Sequence, residues 1–135
     1  MPITPLFAAI FALAYVYLSI SVVKLRMSEK IILGVENKDK TTSVPMVKAV
    51  RIHANFIEYV PLALILFWFL ENVTYSNRLV FWLGCILLVA RVAHVIGMKN
   101  PKEHFLYRQW GMAATFGVIT FSAIKLIWWY LPVSI

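Results

Sequence analysis

The 135 residues are 61% hydrophobic and only 14% charged, with a mean hydropathy of +0.79. A water-soluble domain is excluded by that balance. The net charge of +7 would point to nucleic acid in a soluble chain. Here the basic residues crowd between long apolar runs, as in the inner loops of a membrane protein, so nucleic acid is excluded as a partner.

A bilayer core of about 30 Å asks for about 20 helical residues. Residues 3–23 form the first qualifying run and carry no charge. Nothing positive precedes the run and no small-x-small cleavage site closes it, so it reads as a retained helix rather than a removed signal. A long connection follows with Lys24, Arg26, Lys30, Lys38, Lys40 and Lys48, broken by Gly34, Asn37, Asp39 and Pro45. The second run extends to Leu70, and a short connection from Glu71 to Asn77 leads through Arg78 into the third. Lys99, Asn100, Pro101 and Lys102 then separate the third run from a fourth that ends at Trp128, Trp129 and Tyr130, before Pro132. The predicted fold is an all-α integral membrane protein, one up-down bundle of four transmembrane helices over residues 1–135, with helices near 3–25, 46–71, 78–97 and 106–131. The first and third connections hold most of the Lys and Arg, so the positive-inside bias puts them in the cytoplasm and both termini on the other side. Trp128, Trp129 and Tyr130, with Lys125 snorkelling nearby, make an aromatic anchor at that far interface.

Two helices carry polar groups where lipid forbids them. After Glu58 the clean apolar stretch runs from Tyr59 to Leu70, about 12 residues or about 18 Å of helix, too short to cross alone. Arg51 to Glu58 must therefore enter the membrane. At about 100° per residue Arg51, Asn55 and Glu58 fall within about 60° of one another and make one stripe about 10 Å long. The third helix repeats the arithmetic with Arg91, His94 and Met98. Charges at such a depth must pair, line water or bind something. Because the helices alternate direction, the start of helix 2, the end of helix 3 and the start of helix 4, with His104, Tyr107 and Arg108, meet in the cytoplasmic leaflet.

Two readings of this cluster stand. In one, Arg51 and Glu58 form a pair that ties helices together. In the other, Arg26, Arg51, Arg91 and Arg108 outnumber the single acid and hold a ligand with excess negative charge, with Asn55 and Tyr59 adding neutral hydrogen-bonding groups. Pro61 removes the helical donor of the Ile57 carbonyl and loosens the helix beside Glu58. A metal is not expected, because no pair among His53, His94 and His104 has the spacing of a helical metal site. Cys85 stands among Gly84, Ile86 and Leu87 with no cation beside it, which suits a packing residue and excludes an intramolecular disulfide. Gly111, Ala113, Ala114 and Gly117 suit close helix packing.

The segment Arg51-Ile-His53-Ala-Asn55-Phe-Ile-Glu58-Tyr59-Val-Pro61 resembles the helix 2 signature of the membrane-associated proteins in eicosanoid and glutathione metabolism. That family includes leukotriene C4 synthase, microsomal glutathione transferases and prostaglandin E synthase. Arg91-Val-Ala-His94 is similar to the third helix of the prostaglandin E synthase branch, and the resemblance covers residues 19–130. It implies a homotrimer with glutathione as co-substrate, bound between neighbouring subunits on the cytoplasmic side. The short chain suits a general bacterial member in the inner membrane. Carried over by position, Glu58 holds the γ-glutamyl amine, Arg51 and Asn55 the polar backbone of the tripeptide, and Arg26 a carboxylate, with Tyr59 lining the same site. Arg108 is the candidate for holding the sulfur as thiolate, since a thiol near pKa of about 8.5 needs a cation to become a good nucleophile at neutral pH; Tyr107 is the alternative. Arg91 and His94 belong to the implied binding set. So does His53, which stands where leukotriene C4 synthase has glutamine and points roughly opposite Arg51 on the helical wheel. His94 and Met98 replace two tyrosines of that enzyme.

The function expected from this resemblance is a membrane-bound glutathione transferase or peroxidase acting on a lipophilic electrophile or hydroperoxide that arrives through the membrane lipid. Two alternatives remain at this level: a small four-helix transporter that exchanges protons at its membrane glutamate, and a non-catalytic protein that binds glutathione or lipid. A cation exporter should not line its acidic site with arginine on the same face, whereas a glutathione site needs both signs.

Overall fold

The computed structural model describes residues 1–37, 39–99 and 105–131. It contains four helices, α1 (Thr4–Glu29), α2 (Val44–Thr74), α3 (Asn77–Lys99) and α4 (Phe105–Tyr130), each long and apolar enough to cross a membrane. His104 and the Asn100 to Lys102 connection fall outside the described residues. α3 packs most extensively on α4, and α1 on α2. α2 and α3 also meet across the middle, while α1 and α4 share no contact among the described residues. The start of α1 and the last turn of α4 lie opposite the α1–α2 connection, which with Lys99 and Arg108 marks a basic end of the bundle.

The core follows helical spacing. Phe7, Phe11 and Leu18 are the buried apolar side chains of α1, and they meet Phe56, Val60, Ala63 and Phe67 of α2 and Val80, Leu83 and Leu87 of α3. The Phe11 and Phe56 rings approach edge to face at 6.0 Å between centroids. Outward positions such as Leu13, Val16, Trp82, Val89 and Ile96 are exposed on the bundle, the surface expected where lipid tails rather than water surround the helices. Hydroxyl and amide side chains on that surface close on their own helix: Ser21 donates to the Tyr17 carbonyl at 2.9 Å and Asn72 to that of Trp68 at 2.7 Å. Trp128, Trp129 and Tyr130 are exposed at the last turn of α4.

Three helix ends run differently from the apolar pattern. α1 continues past residue 25 to Glu29 and stops at Lys30, a left-handed residue with φ 54°, after which the Ile31 amide donates to the Arg26 carbonyl at 3.0 Å. The connection then folds back on itself: Gly34 turns at φ 73°, Glu36 and Thr42 pair as an isolated bridge, and the Ser43 amide donates to the Val35 carbonyl at 2.8 Å. Ser43 caps α2 by accepting from the Met46 amide at 3.2 Å, with Pro45 in the first turn. At the opposite end Glu71 lies inside α2, not in a connection. Its buried carboxylate accepts the Ile3 amide and, at 3.1 Å, the Thr4 amide.

α1 therefore takes its N-terminal cap from a different helix. Ile3 offers no side-chain cap and Pro5 has no amide to satisfy, so the negative charge of Glu71 sits at the positive end of the α1 dipole. The Asn77 amide also donates to the Met1 carbonyl at 2.8 Å, which fixes the same end. Glu71→Ala should lower the thermal midpoint of the detergent-solubilised protein by an amount equivalent to about 1–2 kcal/mol, the scale of a lost cap. Glu71→Gln should lie between, and Lys125→Ala should leave the midpoint unchanged.

Candidate functional site

At the basic end the start of α2, the end of α3 and the start of α4 enclose a cavity of about 280 Å³. Its lining includes Thr42, Lys48, Arg51, Met98, Phe105 and Arg108. Three of these are cations and none is an acid, so the cavity carries positive potential. Arg51 and Arg108, 57 positions apart in sequence by number, are thereby brought to one site, while both remain exposed enough to reach a ligand. Lys48 and Thr42 join them, and sequence reasoning had left both in the connection. The signal was present for Lys48, which stands one turn before Arg51 on the same side of α2.

Along α2 from this cavity the stripe continues outward. Asn55 is half-buried and its amide donates to the Arg51 carbonyl at 3.2 Å, leaving its own oxygen to accept. Glu58 is exposed, and among the described residues its carboxylate has no hydrogen-bond or ion-pair partner. In a helix running Val44–Thr74 it stands about 21 Å from one end and about 24 Å from the other. It is thus close to the middle of a membrane-spanning helix, on the outer side of the chain. Arg51 and Glu58 do not form the internal pair that one reading of the sequence allowed.

Arg91 and His94 turn the other way. Both are buried on the α3 face that meets α4. The Arg91 guanidinium donates to the Gly111 carbonyl at 3.2 Å and to the Thr115 hydroxyl, touches the Met112 sulfur at 3.7 Å, and lies 6.0 Å from the centre of the Tyr59 ring. Thr115 passes its own proton to the Gly111 carbonyl at 2.7 Å, so its oxygen is free to accept from Arg91. Gly111 makes the approach possible. A Cβ there would stand 2.6 Å from the Ala90 carbonyl oxygen and 2.9 Å from the His94 backbone nitrogen, and backbone cannot step aside. Gly117, by contrast, has open space around it.

The remaining candidates divide between these regions. Tyr59 is half-buried, with its ring edge to face on Phe116 at 5.3 Å, so it closes the inner side of the stripe. Tyr107 is exposed at the start of α4 beside Arg108. Arg26 is half-buried and donates to the Gly34 carbonyl at 3.2 Å, holding the α1–α2 connection rather than lining the cavity. His53 faces α1, 3.1 Å from the Ser19 hydroxyl and with its ring 5.0 Å from that of Tyr15. Because Ser19 donates to the Tyr15 carbonyl at 2.9 Å, this bond places the His53 proton on Nε2. Within one chain His53 is therefore separated from Arg51, Asn55 and Glu58.

The model of the MAPEG family matches residues 4–128. The chain belongs to the MAPEG family. The inner membrane protein YecN of Escherichia coli strain K12 is 31% identical to this MAPEG chain over 130 residues, covering 96% of it and 93% of YecN. YecN of Escherichia coli O6:H1 matches to the same extent. Among the described residues of this family member no group of His, Cys, Asp or Glu is placed to hold a metal ion, and Cys85 is half-buried and lines a separate apolar hollow with Trp82 and Trp110, away from the cationic cavity.

Thr115 was not among the residues singled out by sequence, yet it is fully buried and receives the Arg91 guanidinium. Thr115→Val keeps the shape and removes the acceptor, which should destabilise the solubilised protein by about 1–3 kcal/mol, the range for a buried charged donor losing a partner. Thr115→Ser should retain most of the stability. Equal thermal midpoints for the Val variant and the parent would show that the hydroxyl does not hold Arg91.

Proposed function

We propose that this MAPEG protein is a glutathione-dependent transferase or peroxidase of the inner membrane, active as a homotrimer with its site between subunits. The observation that carries the reading is an unpartnered carboxylate, Glu58, near mid-membrane on the outside of the chain and in line with a cavity lined by Lys48, Arg51 and Arg108. A carboxylate facing hydrocarbon is costly. A neighbouring subunit covering that face removes the cost and closes the site. The printed name of the Escherichia coli relative supports the inner membrane. With the two basic connections in the cytoplasm and both termini outside, the cavity opens to the compartment that supplies glutathione.

Glutathione carries two carboxylates, one ammonium and a thiol, and the site offers cations with one anion. Glu58 takes the ammonium, Arg51 and Asn55 the peptide groups, and Arg26 of a neighbouring subunit a carboxylate. Tyr59 forms a wall. Arg108 faces the thiol and stabilises its conjugate base after the proton leaves to water, with Tyr107 as the second candidate for that contact. The thiolate then forms a C–S bond to a lipophilic electrophile, either displacing a leaving group that departs with the electron pair of the broken bond or adding to an activated double bond whose carbanion takes a proton from water. With a hydroperoxide it attacks the distal oxygen, the alcohol leaves, and a second glutathione converts the sulfenic acid to disulfide and water. Arg91 and His94 act as positioning residues, since Arg91 holds α3 against α4 and supports the Tyr59 ring.

Purified protein should bind glutathione in calorimetry with an affinity that falls as salt rises, and Glu58→Gln and Arg51→Ala should each reduce that affinity by at least about tenfold. Undiminished binding in both variants would remove this pocket. Glutathione bound to the parent should show the ultraviolet band of a thiolate, absent in Arg108→Ala at saturating ligand; a band that survives would move sulfur activation to another residue. Native mass spectrometry should give a trimer.

A further inference from the structure

A second basic cavity lies at the same end of the bundle, on a different side of α2. It measures about 520 Å³ and is bounded by Lys24, Leu25, Ser28, Lys48, Ile52 and Lys99. Its three lysines come from the last turns of α1, the first turn and a half of α2 and the last residue of α3. All three line this one cavity at the basic end of the bundle. Lys99 is aimed along the bundle by the Tyr17 ring, whose centre lies 5.1 Å from its ammonium. Tyr17 also borders an apolar groove of about 190 Å³ that runs deeper between α1 and α3, past Leu18, Val95, Ala14 and Phe11. From Lys24 to Phe11 the descent along α1 is about 20 Å. A cavity lined by three cations thus stands at the head of an apolar groove, between two helices that touch only sparsely.

We propose that this cavity and groove form a binding site for one anionic phospholipid, its phosphate among Lys24, Lys48 and Lys99 and one acyl chain along α1 and α3. The charge pattern selects the lipid class. Cations clustered between helix ends at the membrane surface attract an anionic headgroup, whereas a zwitterionic headgroup brings a positive charge of its own to the same place. The chain-shaped groove distinguishes a lipid from a free phosphate. The site is also distinct from the proposed glutathione pocket. Ala49 and Ile52, which face this cavity, stand about 120–180° around α2 from Glu58. Lys48 alone borders both cavities, so an anion at one site competes for a cation of the other.

The test uses the full chain in detergent, titrated with dioleoylphosphatidylglycerol, dioleoylphosphatidylcholine, glycerophosphoglycerol or inorganic phosphate, and read by native mass spectrometry and thermal midpoint. The phosphatidylglycerol should be retained and should raise the midpoint, while the phosphatidylcholine and both chain-free phosphates do neither at equal concentration. Lys24→Gln with Lys99→Gln should weaken retention by about 10- to 30-fold, the effect of removing two interfacial cations. Lys24→Arg with Lys99→Arg should preserve it. The control Lys30→Gln with Lys40→Gln removes the same charge from the same end outside the cavity and should leave retention intact. Val95→Trp, which fills the groove, should weaken retention with all lysines present. Equal loss in the control pair would reduce the effect to general surface charge and overturn the site. Retention of inorganic phosphate as strong as that of the lipid would overturn the assignment to lipid, and so would unchanged retention in Val95→Trp. A midpoint in phosphatidylcholine equal to that of the parent establishes that each variant is folded. None of these readouts uses glutathione, so the outcome is independent of the proposed activity.

Discussion

Inside a hydrocarbon layer a polar side chain has to find its partner on protein, and that constraint governs how the four helices are arranged. At the end where the chain starts it is met by one carboxylate: Glu71 of α2 accepts the first amides of α1 and sets where that helix begins. Near the middle it is met by Arg91, whose guanidinium reaches across to the Gly111 carbonyl and the Thr115 hydroxyl and so fixes α3 against α4. Each device is buried between two helices. Each also turns a charged group inward, toward a neighbouring helix rather than toward a ligand held by the same chain.

Against that background the unmet groups stand out. Arg51 and Arg108 line a cavity, and the Glu58 carboxylate lacks a partner among the described residues. The same residue types at similar depths behave differently because of what faces them. Arg91 meets a glycine that allows backbone to approach and a threonine placed one turn further along α4, so one of its terminal nitrogens finds acceptors there while its buried Nε has none among the described residues. Arg51 meets the opening between α2, α3 and α4, where side chains leave space. In the proposed trimer the face of α2 that carries Asn55 and Glu58 is covered by a neighbouring subunit, and assembly and ligand binding then depend on the same groups.

The four helices were legible in the sequence because their apolar runs have the length a bilayer demands, and the Arg51, Asn55 and Glu58 stripe was legible because helical periodicity fixes which side chains share a face. The outward direction of that face was not. Periodicity ranks residues around one helix but does not say which side meets another helix, and so Arg91 and Glu58 looked alike as buried charges. Their different fates are decided by Gly111 and Thr115, residues of another helix that appeared in the sequence only as small packing positions or not at all. The reach of α1 to Glu29 and the place of Glu71 inside α2 escaped for a related reason. Both helices continue beyond the hydrocarbon width, where hydropathy no longer marks the end and the caps at Lys30 and Tyr75, both left-handed, mark it instead. His53 could be assigned a direction away from Arg51 from the wheel alone, but its partner, Ser19 of α1, required the packing.

The sign of the field around Glu58 bears on which chemistry such a site can perform. A glutamate that exchanges protons for cationic drugs works by losing and regaining its charge in an environment that does not already supply a cation. Here Arg51 stands two turns away on the same face, with Lys48 and Arg108 in the adjoining cavity. These cations repel a cationic passenger. A ligand with two negative groups and one positive group meets no such conflict, because its ends can be oriented by the two signs in order along the helix. In the proposed complex the cavity draws the anionic end toward the membrane surface while Glu58 holds the ammonium deeper. That polarity leaves the thiol between them, next to the lipid from which a hydrophobic second substrate would arrive.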